Sequence, residues 1–360
     1  MKLVHIIPSL AFAGAEKQVA SLAIEAQKRG IDTTVVTFFK SDGFQDDLIE
    51  RNIKFYCLDY SGLISLPKVI IKLIKYINKL KPNIVHSHMV NSILISRLFL
   101  GNKKYKLFET LHCTPKEIKK VAFSLLKLTQ LKASFTSCVS KDMLKGAVDY
   151  KLSKKVGYIP NAVDDSFFEN ENVVNFSSKD LEFKWVTVGR LIDKKGYDIL
   201  ISSCESLKRN GTLNFSLDIY GDGPLKSELQ DQINSANLEQ IILLKGVEKN
   251  IAEIIHKYHS FVSSSKIEAF GIVIIEALAK GLPVCLTDCD GPIEIIGVEN
   301  KCGLLVEKNN MDSLMRGMED IMLLDKLKLE AMSFEAKKMV KEKYTQKNIF
   351  NQWLEHYNDK

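Results

Sequence analysis

The sequence predicts an α/β protein with two doubly wound, Rossmann-like domains. The first observation is length, because 360 residues are more than a single hydrophobic core usually holds. The second is the alternation of short, continuously apolar runs with helical periods, which is typical of a parallel sheet covered on both faces. The third is that this alternation stops at a polar stretch, 164–180, and then starts again. We interpret that stretch as a linker.

The first domain, 1–163, is expected to begin with a buried strand. The opening run contains one Lys and continues into a polar helical pattern, which favours a strand over a signal peptide. The predicted strands are Leu3–Ile7, Thr34–Phe39, Lys54–Leu58, Ile84–Ser87, Lys106–Leu111 and Ser134–Val139. The predicted helices are Glu16–Arg29, Pro67–Leu80 and Lys116–Leu131.

The second domain, 181–343, repeats the pattern. Its predicted strands are Lys184–Val188, Phe215–Tyr220, Ile241–Leu244, Ser260–Ser263 and Pro283–Leu286. Its predicted helices are Lys195–Lys208, Pro224–Ile233, Ile251–Tyr258, Gly271–Lys280 and Met311–Met322. A helical tail follows over Met332–Asn358, with amphipathic stretches around Thr345–Tyr357. In doubly wound folds, ligands bind at the carboxyl ends of the strands, so candidate site residues are sought there.

Composition excludes several classes of protein. No segment has the unbroken apolar run of a membrane-spanning helix. The seven cysteines are odd in number and scattered, and none forms a CxxC pair. This argues against a disulfide framework or a zinc site, and it predicts a protein of the reducing cytoplasm.

The charge is distributed unevenly along the chain. Residues 1–160 carry 26 Lys and Arg against 12 Asp and Glu, whereas residues 161–360 carry 24 against 32. A basic half beside an acidic half predicts an anionic partner for the first half. We expect no nucleic acid, because no compact recognition motif is present. An anionic membrane surface is favoured because the positive charge lies on apolar helices.

Two lysine-rich segments carry this membrane hypothesis. Lys68, Lys72, Lys75 and Lys79 are spaced by three and four residues, which places four cations along one helical stripe beside Ile and Leu. Residues 116–132 repeat the pattern with Lys116, Lys119, Lys120, Lys127 and Lys132. The alternative is that each is simply the solvated face of a helix covering the sheet.

The most informative segment runs from Glu268 to Pro283. Glu268 precedes a predicted helix start at Gly271, and Glu276 lies more than a turn into that helix. A helix N-terminus offers free N–H groups and the positive end of a dipole, which suit a phosphate. Two carboxylates beside a phosphate could hold sugar and ribose hydroxyls. The alternative is an ordinary amphipathic helix with two solvated glutamates.

Three further loops follow strand ends. Gly189 ends the first strand of the second domain, and Arg190 and Lys195 follow it, placed to reach one anionic group above the sheet. Gly221 lies in a second glycine-rich turn, which is a weak signal alone. Gly14 lies in a loop of small residues after the first strand of the chain, where a substrate could approach the first helix.

Histidines also lie at strand ends in the first half. His112 is the best placed of them for contact with a sugar. His86 and His88 would share one face of a strand, but no nearby carboxylate or Cys completes a metal or triad pattern with them, so we interpret them as structural. Asp288 and Asp290 match a loose DxD metal motif, which we discount because turn formation explains both residues. We therefore expect no metal.

Together these segments resemble the retaining GT-B glycosyltransferases of family four, over nearly the whole chain. The matching segments are the small-residue loop with Glu16, Ile159–Asp164, VGRL…KKG from Val188, YGDGP from Tyr220, SSSKIEAFGIVIIEALAKGLPV from Ser263, the loop from Gly291 to Glu294, and CGLLV at Cys302–Val306. Ala13 stands where the family usually has glycine. The resemblance implies a GT-B fold, with the two domains facing a central cleft that excludes water.

The resemblance also implies an activity and residue roles. The activity is metal-independent hexosyl transfer with retention of configuration. The donor would be a UDP- or GDP-linked nucleotide sugar, a substrate and not a cofactor, and the acceptor would bind to the first domain. Arg190 and Lys195 would hold the diphosphate, with N–H groups near Phe270, Gly271 and Ile272. Glu276 would hold the ribose, Glu268 the donor sugar, and His112 would line the sugar site. Residues 344–360 would form a helix crossing back to the first domain.

We therefore expect a cytoplasmic enzyme, peripheral on the inner face of the plasma membrane. It would act on a lipid-linked or surface-polysaccharide acceptor of the lipopolysaccharide, O-antigen or capsule type. Two alternatives remain open. A sugar-nucleotide epimerase on the same fold would isomerise the donor without any acceptor. A non-catalytic nucleotide-sugar-binding module would bind the donor without turnover.

Overall fold

In the computed structural model the chain divides into two units, each built on one parallel sheet. The structure describes residues 1–41, 43–101, 104–169, 174–178, 182–211, 214–297 and 301–359. One unit comprises Met1–Ala162 and Gln346–Lys360, and the other comprises Val163–Thr345. The division into an acceptor domain and a donor domain stays a prediction.

The sheet of the first unit has its switch point at the first strand. In chain order its strands are β1 (Lys2–Ile7), β2 (Asp32–Thr37), β3 (Lys54–Cys57), β4 (Ile84–His88), β5 (Lys106–Leu111), β6 (Phe135–Cys138) and β7 (Val156–Tyr158). They pair in parallel in the order β3-β2-β1-β4-β5-β6-β7. The order reverses between β1 and β4, which is where ligands bind in folds of this kind.

Helices connect these strands. They are α1 (Gly14–Lys28), α2 (Gln45–Glu50), α3 (Leu66–Leu80), α4 (Val90–Ile95), α5 (Lys120–Leu128) and α6 (Lys141–Asp149). A π-helical turn over Ser96–Leu100 continues α4. Val69, Leu73 and Ile77 of α3 are buried at spacings of four, so this helix covers one face of the sheet with a single apolar stripe.

The sheet of the second unit follows the same plan. Its strands are β8 (Phe183–Val188), β9 (Phe215–Tyr220), β10 (Ile242–Gly246), β11 (Ser260–Ser263), β12 (Val284–Thr287) and β13 (Gly303–Val306). They pair in parallel in the order β10-β9-β8-β11-β12-β13. The helices are α7 (Tyr197–Arg209), α8 (Lys226–Ser235), α9 (Ile251–Ile254), α10 (Ile272–Ala279), α11 (Asp290–Ile296), α12 (Met311–Leu323) and α13 (Lys326–Lys343).

The last helix, α14 (Gln346–Asn358), belongs to the core of the first unit. Phe350, Trp353 and Tyr357 are nearly or fully buried there, in one cluster with Leu3 of β1 and Phe108 of β5. Burying aromatic side chains of this size removes a large apolar area from water, so α14 stabilises the face of the sheet opposite α3.

A buried ion pair ties the centre of the first unit together. Arg97 donates from Nε and Nη2 to the two carboxylate oxygens of Glu109, at 2.7 and 2.6 Å, and both side chains are about 1 % exposed or less. Its Nη1 donates to the carbonyl oxygens of Leu126 and Leu152, and Thr136 Oγ1 donates to Glu109. The pair therefore joins β5, β6, the end of α4 and the end of α5. Each guanidinium nitrogen of Arg97 has at least one acceptor, which offsets the cost of burying the ion pair.

The predicted fold class is confirmed, since both halves are α/β units on parallel sheets. Strands β7 and β13 were missing from the prediction. Both are short strands at a sheet edge.

The predicted helical tail is two helices, because it breaks at Tyr344 and Thr345 between α13 and α14. Part of the predicted linker, 170–173 and 179–180, lies outside the described residues. Its described parts contain short 3-10 turns at Asp165–Phe167 and Phe176–Ser178.

The predicted helix Lys116–Leu131 is wrong at both ends. Glu117 accepts the N–H of Thr114 at 2.8 Å, which closes a 3-10 turn at Pro115–Glu117, and Ile118 is then extended. The helix proper is α5, and a second 3-10 turn follows at Gln130–Lys132. The lysines of 116–132 therefore do not form one helical stripe. Among the described helices, none is long and apolar enough to span a bilayer.

We predict that Glu109→Ala destabilises the first unit by about 3–5 kcal/mol, because it leaves the Arg97 guanidinium buried without its counter-charge. For a unit of this size the corresponding fall in Tm is about 6–20 °C. Calorimetric unfolding of the full chain measures it. The exposed Arg51→Ala is the control and should change stability by less than about 0.5 kcal/mol. An Arg97→Met, Glu109→Leu double variant should lose less stability than Glu109→Ala, because no charge is left buried. If Glu109→Ala lost no more stability than Arg51→Ala, the stabilising role of the ion pair would be contradicted.

Candidate functional site

The carboxyl ends of β8 and β9 are held together by two glycines. Gly189 N–H donates to Tyr220 carbonyl oxygen at 2.9 Å. A Cβ at Gly221, whose φ is +142°, would lie 1.9 Å from the carbonyl oxygen of Gly189. A Cβ at Gly189 would lie 2.9 Å from Tyr197 Oη and 3.3 Å from Lys195 Cε. Both positions therefore need glycine for space, and the side chain of Lys195 runs past the end of β8.

The loop after β8 is also bonded to the loop after β11. Ser264 Oγ donates to the carbonyl oxygen of Lys195 at 2.9 Å, and Lys266 N–H donates to that of Lys194 at 2.9 Å. The central strands β8 and β11 are neighbours in the sheet, so their carboxyl ends meet at one edge. This is the switch point of the second sheet.

Lys195 and Glu268 form an ion pair at this edge. Lys195 Nζ lies 2.5 Å from Glu268 Oε2, and the two side chains are 17 % and 16 % exposed. Sequence separation between them is large, so the pair depends on the fold and not on one local turn. The structure therefore brings together two of the predicted site residues. Because the pair is partly exposed, either charge can be reached from solvent.

Arg190 lies next to Gly189 with an exposed side chain. It forms no ion pair or side-chain hydrogen bond with any residue that the structure describes. Its guanidinium is therefore free to grip an anion from the solvent side of the loop. The prediction that it acts on the same anion as Lys195 is not tested by these contacts.

The N-terminus of α10 supplies unpartnered N–H groups. Gly271 is the N-cap residue with a φ of +99°, which only glycine adopts readily, and α10 then starts at Ile272. Within the described chain, the N–H groups of Phe270, Gly271 and Ile272 have no hydrogen-bond acceptor. The side chain of Phe270 is 2 % exposed and packs edge-on against Tyr344, which anchors the loop.

Glu276 lies inside α10 and is 4 % exposed. A carboxylate buried this deeply needs polar partners, and Glu276 has them in the structure. It lies one helical turn after Ile272, on the same helix whose N-terminus carries the free N–H groups. Glu268, Gly271 and Glu276 thus share one loop-helix element.

Of the two residues of the discounted DxD motif, Asp288 has a structural partner. Asp288 Oδ1 accepts the backbone N–H of Lys308 at 2.8 Å. Turn formation does not explain Asp290, because α11 begins at this residue. Pro292 is compatible with that start because it lies in the first turn, where the missing N–H of proline costs nothing.

In the first unit, Gly14 is the first residue of α1 and is exposed. Ala13 is the N-cap residue with an extended backbone, and no side chain caps the helix. Gln18, one turn later, is bonded in both directions to the backbone of Ala162, at 2.6 and 2.8 Å. The small-residue loop is therefore fixed to the segment Ile159–Asp164 at its first turn, while Gly14 itself stays accessible.

Four histidines, three of them buried and His112 half-buried, form one cluster at the switch point of the first sheet. His5 and His86 are paired across β1 and β4, His88 follows two residues later, and His112 directly follows β5. His5 Nδ1 lies 3.0 Å from His88 Nε2, and His88 Nδ1 lies 3.4 Å from His112 Nε2. His86 instead bonds Tyr357 Oη at 2.7 Å and Thr110 Oγ1 at 2.8 Å.

All four imidazoles are neutral near pH 7. Burial lowers the pKa of His5 to about 3 and that of His112 to about 4. Burial also lowers the pKa values of His86 and His88 well below the usual value, and their imidazole neighbours act in the same direction. Neutral rings each carry one N–H, so every nitrogen in the cluster is either a donor or an acceptor.

Sequence reasoning missed His5 and Tyr197. Ring nitrogens of His5, His86 and His88 lie within 4.8 Å of one another, a spacing that could hold a metal ion. The period-2 alternation of β1 and β4, together with their pairing, is the signal that places His5 with the other two. Tyr197 is buried under the loop of Lys195, and burial raises its pKa, so it is neutral there.

Two protein-family models match the chain, one for each half. The model described as Glycosyltransferase Family 4 matches residues 12–167. The model described as Glycosyl transferases group 1 matches residues 169–339. The second match contains every candidate residue of the second unit, from Gly189 to Glu276.

Among curated proteins, one similar relative is the N-acetylgalactosamine-N,N'-diacetylbacillosaminyl-diphospho-undecaprenol 4-alpha-N-acetylgalactosaminyltransferase of Campylobacter jejuni. It is 33 % identical over 57 % of this chain and 55 % of its own length. The poly(ribitol-phosphate) alpha-N-acetylglucosaminyltransferase of Staphylococcus aureus is 30 % identical over 48 % of this chain and 34 % of its own. The chain thus aligns with between 34 % and 60 % of the first curated relatives' length.

Among solved structures, HepE of Anabaena in complex with UDP and glucose is similar over nearly the full length. The TM-score is 0.84, at 17 % identity, and the match covers 99 % of this chain and 98 % of HepE. At this identity the likeness concerns the fold, and it agrees with the two parallel sheets described above.

Proposed function

Because the chain belongs to the GT-B glycosyltransferases of family four, we propose that it transfers a sugar from a nucleotide-sugar donor to a glycan or lipid-linked acceptor. The observation that carries this proposal is the Lys195–Glu268 pair beside the N-terminus of α10. A cation, a carboxylate and free N–H groups at one strand edge match the three parts of a sugar diphosphate: phosphate, sugar hydroxyls and leaving oxygen.

We assign the diphosphate to the cations and the helix end. Arg190 would hold it bidentately, Lys195 would exchange Glu268 for a phosphate oxygen, and the N–H groups of Phe270, Gly271 and Ile272 would complete the cradle. Gly189 and Gly221 allow the close packing of this edge, in which the side chain of Lys195 passes the end of β8. Glu276 would accept ribose hydroxyls, and Glu268 would accept donor sugar hydroxyls.

These groups fit transfer with retention and without a metal. In the reaction the bond between the anomeric carbon and the diphosphate oxygen breaks, and a bond to the acceptor oxygen forms on the same face. The acceptor proton passes to the leaving phosphate. Negative charge develops on that phosphate, and two cations with a helix N-terminus stabilise it where a metal would otherwise act. Glu268 is therefore not assigned as a nucleophile.

The first unit is assigned the acceptor side. Gly14 would leave room for the donor phosphate at the start of α1, and His112 would line the sugar site from the end of β5. A uridine donor is favoured, since HepE is described in complex with UDP. The relatives named for diphospho-undecaprenol and poly(ribitol-phosphate) acceptors favour a lipid-linked or surface-polysaccharide acceptor of the lipopolysaccharide, O-antigen or capsule type.

A lipid-linked acceptor would place the protein on the inner face of the plasma membrane. The structure leaves a basic and apolar surface on the first unit that suits this. Lys68, Lys75 and Lys79 of α3 are exposed, and Ile71 on the same helix is 53 % exposed. Leu128 at the end of α5 is 81 % exposed. Exposed apolar side chains among cations are typical of a helix lying on an anionic bilayer.

We predict that Arg190→Ala and Glu276→Ala each weaken UDP-sugar binding about ten- to a hundredfold, because each removes a hydrogen bond to a charged group. Calorimetric titration with UDP-, GDP-, ADP- and dTDP-sugars in the presence of EDTA measures the affinities. The neighbouring cation Lys194→Ala is the matched control and should bind normally. Binding that requires Mg²⁺ or Mn²⁺ would contradict the metal-independent site, and no binding of any donor would contradict the transferase. Donor isomerisation without acceptor would identify an epimerase instead.

We predict that replacing Lys68, Lys72, Lys75 and Lys79 with Gln weakens binding to vesicles containing anionic phospholipid at least about tenfold, since each Lys contributes about 1 kcal/mol near such a surface. Co-sedimentation at low and physiological salt measures it. Lys326, Lys328, Lys338 and Lys341, which are exposed on α13, provide a control variant with the same change in charge. An equal effect in both variants, or none in the first, would refute membrane docking through α3.

A further inference from the structure

We propose that His5 and His88 are positioning residues that hold His112 as the Nδ1–H tautomer, through a chain of imidazole hydrogen bonds running from the buried core to the end of β5. The chain has two links, of 3.0 Å from His5 to His88 and 3.4 Å from His88 to His112. Its importance for catalysis rests on the proposed function, in which His112 lines the sugar site. Its existence as a hydrogen-bond chain does not.

The fold lines the three rings up. His5, His88 and His112 lie on β1, β4 and directly after β5, which are adjacent in the sheet. Side chains alternate along strands, and the neighbours of these residues at two-residue steps, such as Leu3 and Phe108, belong to the core under α14. The histidines therefore share that face of the sheet, and a change of one residue in register would separate them.

The direction of the chain follows from its buried end. His5 Nδ1 faces His88, and His5 Nε2 has no hydrogen-bond partner although it is buried. If the N–H groups pointed inward, this Nε2 would carry a proton without an acceptor. If they point outward, it carries only a lone pair. Buried N–H groups without an acceptor are rarer in proteins than under-used acceptors, so the outward direction is favoured.

The outward direction determines the state of each ring. His5 Nδ1–H donates to His88 Nε2, and His88 Nδ1–H then donates to His112 Nε2. A neutral imidazole carries one proton, so His112 carries its own on Nδ1. Because Nε2 of His112 faces His88, Nδ1 lies on the other side of the ring. His112 can therefore donate this N–H to a group that lies beyond the end of β5. An oxygen of a bound sugar is the acceptor that the proposed function supplies.

The fourth histidine is not part of this chain. Both nitrogens of His86 are engaged by hydroxyl groups, those of Tyr357 and Thr110. A metal ion held by His5, His86 and His88 would have to displace one hydroxyl from His86 and one of the two hydrogen bonds of His88. The observed bonds thus describe a chain of neutral rings, and a bound metal is a separate outcome that experiment can detect.

The direct test is the tautomer of His112 in the full-length wild-type protein, measured from the ¹⁵N shifts of its ring nitrogens near pH 7. The expected result is a protonated Nδ1 and an unprotonated Nε2. A proton on Nε2 would overturn the proposal. This measurement needs no substrate and no variant, so it stands whether or not the protein transfers sugars.

Variants separate positioning from a merely structural role. His5→Phe keeps an aromatic ring at this position but removes the N–H that donates to His88. The ¹⁵N shifts of His112 should therefore move towards those of a mixture of tautomers. Sugar transfer should fall about tenfold in kcat while UDP affinity is unchanged. Tyr357→Phe is the matched control, because it removes one hydroxyl from the same buried cluster but contacts only His86 among these rings. It should leave the tautomer of His112 as in the wild type.

Three further results would overturn the proposed hydrogen-bond chain. One is an unchanged His112 tautomer in a folded His5→Phe protein, and another is the same shift in Tyr357→Phe. The third is stoichiometric zinc in the purified protein that is lost in His5→Phe, which would make the cluster a metal site. If the tautomer is as expected but no sugar is transferred, the hydrogen-bond chain stands and the proposed function fails.

Discussion

The ion pair between Lys195 and Glu268 at the edge of the second sheet is the interaction on which the proposed diphosphate site depends. The pair is 2.5 Å long and only about one-sixth exposed, so each charge is held in place yet reachable. The surrounding backbone is built for it: Gly189 leaves room for the lysine side chain, and Ser264 bonds the lysine carbonyl oxygen. In the proposed function, the Glu268 carboxylate occupies the place that an anionic ligand would take. Binding of a diphosphate would then be an exchange of one anion for another, which would avoid leaving a partly buried cation without a partner.

At its switch point the first unit has neutral imidazoles in place of an ion pair. Its switch point holds four imidazoles whose charged forms are excluded by burial, so hydrogen-bond direction replaces charge as the organising property. The Arg97–Glu109 pair, in contrast, is a buried ion pair in which each guanidinium nitrogen donates to Glu109 or to the carbonyl oxygen of Leu126 or Leu152. Both arrangements require side chains from distant parts of the chain, and α14 completes the first by covering the histidine face with Trp353 and Tyr357.

The fold class was predictable because each buried parallel strand is a continuous apolar run, and these runs alternate along the chain with helical periods. The edge strands β7 and β13 were not predicted because they are short. The helix around Lys120 was predicted too long because the Thr114–Glu117 hydrogen bond depends on a side chain, and hydrophobic periodicity does not reveal such a bond. The candidate residues after β8 and around Gly271 could be named from loop chemistry. The direct contact of Lys195 with Glu268 could not, since it depends on how two loops 73 positions apart are joined. His5 was missed for a related reason: its partners are set by strand order, which local patterns leave open.

The most direct test of this account is the affinity of Glu268→Gln for UDP alone, compared with the wild type and Lys195→Met; GDP replaces UDP if the donor titrations select guanosine. If Glu268 occupies the place of the phosphate in the free protein, removing its charge frees Lys195 and removes a repulsion. UDP should then bind Glu268→Gln about two- to fivefold more tightly than wild type, while Lys195→Met binds it more weakly. Equal weakening by both substitutions would contradict the exchange of anions, and with it the assignment of this edge as the diphosphate site.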